Sequence, residues 1–74
     1  MGNELFKNNL RVYRAKMNWT QEDLAKSVGV TRKTINTIEN GVFIPSAFLA
    51  LKIAKVFHET VENIFFIAEE NEKE

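Results

Sequence analysis

Between Thr20 and Gly41 the chain reads TQEDLAKSVGVTRKTINTIENG, and Arg32, Lys33, Asn36 and Thr37 set a guanidinium, an ammonium, an amide and a hydroxyl close together there. At about 100° per residue, with Ile35 taken as the inward direction, Ile38 and Glu39 fall within roughly 60° of it, whereas Lys33, Asn36, Thr37 and Asn40 point away. Arg32 reaches forward from the first turn. These groups read base edges in the major groove of a duplex: Arg or Lys by hydrogen bonds to guanine, Asn by hydrogen bonds to adenine, Thr by contacts with several partners, including an apolar one with the thymine methyl. Competing chemistries find little support. Ser27 and Ser46 have no base nearby in sequence, so a nucleophilic mechanism lacks its activating partner. His58 is the single histidine and there is no cysteine, which leaves no metal-ligand spacing. No cofactor and no enzymatic activity are expected.

The elements that would position these residues are short. Leu24 and Val28 form one apolar stripe; Ile35 and Ile38 form another. Neither segment would hold as an isolated helix in water. Each has a clear start: Thr20 as N-cap with Asp23 three residues on, and Thr31 as the second cap. Trp19 and Val30 are placed to staple onto Leu24 and Ile35. Gly29 supplies the tight turn, Val30 plugs the corner, and small Ala25 lets a second helix cross closely. The spacing specifies two helices crossing steeply through a short turn, over residues 20–41. Such a bend lets the first helix lie across the phosphate backbone while the second enters the groove.

Around this unit the pattern predicts a first helix from Asn8 or Asn9 to about Met17. A fourth helix opens at Ser46 after the only proline, Pro45, and a fifth starts near Thr60 and runs through Val61, Ile64 and Phe65. Leu10, Tyr13 and Arg14 share one face, which turns Arg14 inward, where an unpaired charge would be costly. Trp19, Phe48, Phe57, Phe65 and Phe66 are read mostly as core. ELFK near the start and FFIAE after the fifth helix either pair as a small two-stranded sheet or the second prolongs that helix. The tail from about 69 to 74 is too polar to pack and is expected to be mobile.

A chain of 74 residues is a single domain, burying only about 60% of its unfolded surface. Net charge is zero, but unevenly distributed. Residues 5–37 carry seven basic side chains against Glu22 and Asp23, a net +5; residues 56–74 carry six glutamates against Lys73, a net −5. That asymmetry suits a polyanion on one face. No apolar run approaches the roughly 18 residues of a membrane span, and MGNELFKNNL lacks the apolar region of a signal peptide. A cytoplasmic protein without a membrane partner is expected.

The residues LRVYR, WTQEDLAKSVGV, TRKTINTIENG, IPS, LALKIAKVF and VENIFF together resemble the lambda-repressor-like, Cro-type helix-turn-helix regulators of the XRE family, over roughly Leu10 to Phe66. The resemblance implies an all-α, compact five-helix domain that binds double-stranded DNA as a transcriptional regulator and repressor. It implies that Arg32, Lys33 and Thr37 occupy base-reading positions, with Asn36 facing the groove beside them. It implies a phosphate contact from Gln21 and another from the backbone N–H of Asn40. It also implies an ion pair between Arg14 and Glu39 tying helix 1 to helix 3. Tyr13 and Trp19 stand where aliphatic residues are common in the family, and Val42, Phe43 and Ile44 make apolar a loop that is often basic.

One such unit covers only half a site, so a two-fold homodimer is expected, with Ile64, Phe66 and Ile67 as contacts and Val42 to Ile44 contributing. No separate effector domain and no small-molecule effector are expected. The alternative on the same frame is a protein-interaction or antitoxin-type module. An interaction module that had lost DNA binding would be expected to carry acidic or bulky apolar groups on the outer face of helix 3. Here that face is Arg, Lys, Asn, Thr and Asn.

Overall fold

The computed structural model describes residues 4–69. In chain order these form β1 (Glu4–Asn8), α1 (Leu10–Lys16), α2 (Gln21–Val28), α3 (Arg32–Glu39), α4 (Ala47–Val56), α5 (Val61–Ile64) and β2 (Phe65–Glu69). Most helix starts are chemically marked. Thr20 and Asp23 close a full capping box ahead of α2: Thr20 Oγ1 accepts from the Asp23 N–H at 3.0 Å, and Asp23 Oδ2 accepts from the Thr20 N–H at 2.9 Å. Thr31 and Ser46 hydroxyls accept from the N–H groups of Thr34 and Leu49 at 3.2 and 3.1 Å, opening α3 and α4. The cap for α1 comes from outside the pattern of serines and threonines: Asn8 Oδ1 accepts from the Leu10 N–H at 3.1 Å.

Four helices stop by one device. Asn18, Gly29, Gly41 and His58 all sit in the left-handed region, with φ of 57°, 78°, 77° and 57°. The next residue in each case donates its N–H back into the last turn: Trp19 to Arg14 O, Val30 to Ala25 O, Val42 to Thr37 O and Glu59 to Ala54 O, at 2.9, 3.0, 2.9 and 2.9 Å. That bond satisfies a carbonyl the helix would otherwise leave bare. At Gly29 an added Cβ would meet nothing closer than 3.8 Å, so the glycine serves the backbone angle rather than space.

Leu10, Leu24, Ile35, Ile38, Ile53 and Ile64 are the large side chains fully removed from solvent, one or two from each helix. Tyr13 and Trp19 close the core from the side, their rings 5.6 and 5.8 Å from that of Phe57. The chain ends pair antiparallel, with Leu5 opposite Ala68, Phe6 opposite Ile67, Lys7 opposite Phe66 and Asn8 opposite Phe65. FFIAE therefore leaves helical geometry after Ile64 and becomes β2; Glu69, expected in the tail, ends that strand. The acidic segment from residue 70 onward lies outside the described residues. A two-stranded sheet is marginal alone. This one is fastened by Phe6 stacked on Phe65 at 5.6 Å, by the Asn9 N–H donating to Ile64 O at 2.8 Å, and by Asn8 Nδ2 donating to Ile38 O at 2.9 Å.

Two sequence expectations change here. Phe48 is 71% exposed rather than core. The inward stripe of α4 is Leu49, Ala50, Ile53 and Ala54, which turns Phe48 and Leu51 outward, with Lys52 Nζ lying 4.8 Å over the Phe48 ring. Ile64 is 0% exposed. It anchors α5 in the core and cannot touch a second chain, whereas Phe66 and Ile67 on β2 do reach the surface.

Candidate nucleic-acid interface

Ile35 and Ile38 pull α3 against the core, so its other side is left to solvent. Arg32, Lys33 and Asn40 are exposed, and Asn36 and Thr37 are half-buried along the same outer face. The bend places the start of α2 beside the start of α3, and the side chains there are joined. Arg32 Nη1 and Asn36 Nδ2 both donate to Gln21 Oε1, at 3.2 and 3.4 Å. Asn40 Nδ2 donates to Asn36 Oδ1 at 3.2 Å. Lys33 and Thr37 stand outside this chain of contacts; Thr37 Oγ1 donates to Thr34 O at 2.9 Å. The loop after α3 folds back on the same helix, the Val42 and Phe43 N–H groups both donating to Thr37 O at 2.9 and 3.2 Å. Val42, Phe43 and Ile44 thus leave an apolar margin beside the polar face, each of them exposed.

Behind the face lies a buried carboxylate. The Glu39 side chain is 1% exposed and that of Arg14 is 14% exposed. Arg14 grips it with two bonds, Nε to Oε2 at 2.6 Å and Nη2 to Oε1 at 3.0 Å. Its remaining arm, Nη1, donates to Trp19 O at 2.9 Å. Gln21 Nε2 adds a third bond to Oε1 at 3.1 Å. Arg11 contributes charge from 3.6 Å with a side chain 70% exposed. Burial alone would raise the carboxyl's pKa, but the bonds from Arg14 and Gln21 and the charges of Arg14 and Arg11 prevail and hold it below its ordinary value. Arg14 is held above its own by the same hydrogen bond. At the start of α2, bonds from the Thr20 backbone and hydroxyl lower the pKa of Asp23.

The structure brings together Arg14 with Glu39, and Gln21 with Arg32, Asn36 and Asn40. One detail of the sequence reading changes. The backbone N–H of Asn40, expected at a phosphate, donates instead to Asn36 O at 3.1 Å. One contributor, Asn8, and one bond of an expected residue, that of Gln21 to Glu39, escaped the sequence. Asn8 ties β1 to the end of α3 through Ile38 O, and Gln21 joins the buried carboxylate to the outer face. Only a cross-helix geometry could have revealed either.

Two short helices crossing through a left-handed glycine, the second with a basic and amide outer face and an apolar inner one, define a helix-turn-helix unit. The chain belongs to the helix-turn-helix family, of the XRE type: the model described as "Helix-turn-helix" matches residues 10–64. It is 46% identical to the HTH-type transcriptional regulator YgzD of Bacillus subtilis, over 88% of this chain and 98% of that protein. It is 58% identical to the HTH-type transcriptional regulator MJ0272 of Methanocaldococcus jannaschii, over 80% of this chain and 89% of that one. Among solved structures it resembles the SOS-response transcriptional repressor LexA from Eubacterium rectale, with a TM-score of 0.70 and 36% identity, over 74% of this chain and 58% of that chain. No helix among the described residues is long and apolar enough to cross a membrane.

Proposed function

We propose that this protein is a sequence-specific, DNA-binding transcriptional repressor of the cytoplasm that reads a two-fold operator as a homodimer. The observation that carries the reading is the outer face of α3, where Arg32, Lys33, Asn36 and Thr37 are presented while the helix's one acid, Glu39, is turned inward and neutralised by Arg14. An acid on that face would repel phosphate; a buried one does not. Arg32 and Lys33 offer donors to guanine, Asn36 a donor and an acceptor to adenine, and Thr37 a methyl and a hydroxyl. Gln21 has a second N–H beyond the one given to Glu39, and Asn40 an exposed amide; both are suited to phosphate. These backbone contacts would set register, and α3 would set sequence.

Dimerisation is supported by the surface left apolar. Phe66 and Ile67 flank a groove also lined by Phe6, Pro45, Ala50 and Val61, and Val42 and Ile44 are 78% and 64% exposed. Exposed patches of this kind mark interaction sites on small proteins. A self-complementary face there would set two α3 helices for half-sites about 34 Å apart.

Selection from randomised duplex DNA tests the function. The expected product is a pseudo-palindrome with half-site centres about 10 bp apart, bound by a dimer that Ile67→Glu converts to monomer in sedimentation. Failure to enrich any sequence would transfer the frame to the interaction-module reading.

A further inference from the structure

We infer that Asn8 is a positioning residue for operator geometry: its side-chain amide fastens the sheet of the chain ends to the last turn of α3 and so sets the half-site spacing that a dimer accepts. This rests on the proposed reading of a two-fold operator by a homodimer. In that reading the dimer face includes Phe66 and Ile67 on β2, while the bases are read from α3. The spacing between two α3 helices therefore depends on how the sheet and α3 are joined. Between β1 and the end of α3 lies a cleft of about 480 Å³, whose lining includes Leu5, Lys7, Glu39, Asn40 and Ile44. Asn8 bridges it: Nδ2 donates to Ile38 O at 2.9 Å. Among the described residues, no other hydrogen bond joins β1 to α3.

The amide can make this bond in one orientation only. Asn8 Oδ1 accepts from the Leu10 N–H at 3.1 Å, so the NH2 must face Ile38 O; turned end for end, the group would set oxygen against oxygen and donor against donor. Ile38 O also accepts from the Gly41 N–H at 3.0 Å, which fills both lone pairs of that carbonyl. One side chain thus meets the start of α1 and the end of α3, and its backbone pairs with Phe65, the first residue of β2. The leverage is large. Half-site centres one helical turn apart stand about 34 Å from each other, so each α3 lies about 17 Å from the two-fold axis. A tilt of about 10° between sheet and helix moves α3 by about 3 Å at that radius, close to one base pair. Removing the tie should therefore leave the affinity for one half-site in place and relax the choice of spacing.

The experiment measures the affinities of the native protein, Asn8→Ser and Asn9→Ala for duplexes that carry two selected half-sites at the preferred spacing, one base pair closer and one base pair farther, and for a duplex with a single half-site. Serine can accept from the Leu10 N–H as asparagine does, but it is too short to reach Ile38 O. Asn9 is the control: its amide joins the same junction to Asn63 O, at 3.4 Å, and not to α3. A shift of one base pair makes the DNA twist or the dimer yield, and should cost the native protein about tenfold in affinity. For Asn8→Ser that cost should fall to about threefold or less, with affinity and base preference at the single half-site unchanged. Asn9→Ala should discriminate as the native protein does. In the free native protein, the Asn8 side-chain amide should show a high 15N order parameter. The inference is overturned if Asn8→Ser is as selective for spacing as the native protein, if it loses as much at the single half-site as on the full operator, or if the native Asn8 amide is as mobile as an exposed asparagine. A native protein with no preference for spacing overturns the two-fold reading itself and the role of Asn8 with it, by a result obtained before Asn8 is touched.

Discussion

Replacing Glu39 by alanine removes the one acceptor that neutralises Arg14. Because the Arg14 side chain is 14% exposed, little water can take the carboxylate's place. Two direct bonds to Glu39 are lost, and only the bond from Nη1 to Trp19 O survives. Removing one partner of a buried pair typically costs about 3–5 kcal/mol, and the residual exposure of Arg14 places this case toward the lower end. A domain of 74 residues has a total stability of roughly 4–11 kcal/mol, so the substitution should remove a large part of it. With a urea slope of about 1 kcal/mol per molar for so small a protein, the midpoint should fall by about 3–4 M. Arg11→Ala provides the comparison: its side chain is 70% exposed and 3.6 Å from the carboxylate, and it should cost no more than about 1 kcal/mol. Equilibrium urea unfolding followed by the Trp19 fluorescence measures all three proteins. If Glu39→Ala moved the midpoint no further than Arg11→Ala, the pair would not be buried as described.

Two further predictions concern pH and backbone strain. The folded-state pKa of Glu39 lies below the unfolded value of 4.5, so its contribution to stability is fully present above pH 4.5 and is lost as the pH falls through the folded value. The stability advantage of the native protein over Glu39→Gln should thus hold at neutral pH and shrink on acidification, as read from urea titrations at stepped pH; a gap that widened in acid would reverse the sign of the argument. His58 ends α4 at φ 57° without the freedom of glycine, so His58→Gly should raise stability by about 0.5–1 kcal/mol, seen as a higher melting temperature, and a lower one would show that the imidazole makes a compensating contact.

The parts of this molecule legible in sequence are those specified locally. Thr20 with Asp23, Thr31 and Ser46 announce helix starts through short-range bonds, and Gly29 and Gly41 announce stops through backbone freedom. The apolar stripes of α2 and α3 fix the outer face of α3 by elimination. What escaped depends on groups distant in the chain. Ile64 looked available for a partner because helical spacing does not say where a helix ends; the pairing of β1 with β2 ends it there and drives Ile64 inward. Phe48 looked like core by type, yet the stripe of α4 excludes it. His58 ends a helix as the glycines do, without the residue type that would signal it. Gln21, assigned to phosphate by resemblance, is also bonded to groups 11, 15 and 18 residues away.

Whether α3 reads base sequence is decided by the ratio of affinities for the selected operator and for scrambled DNA, measured at several salt concentrations for the native protein and for Arg32→Ala and Lys33→Ala. Arg32→Ala should cost about 1–3 kcal/mol on the operator and far less on scrambled DNA, collapsing the ratio and relaxing one base position. Lys33→Ala should collapse it likewise at a second position, whereas a Lys33 that met only phosphate would leave the ratio intact and lower the salt slope by about one unit. A ratio unchanged in both variants would contradict the account, because the side chains most prominent on the outer face of α3 would then carry no sequence information.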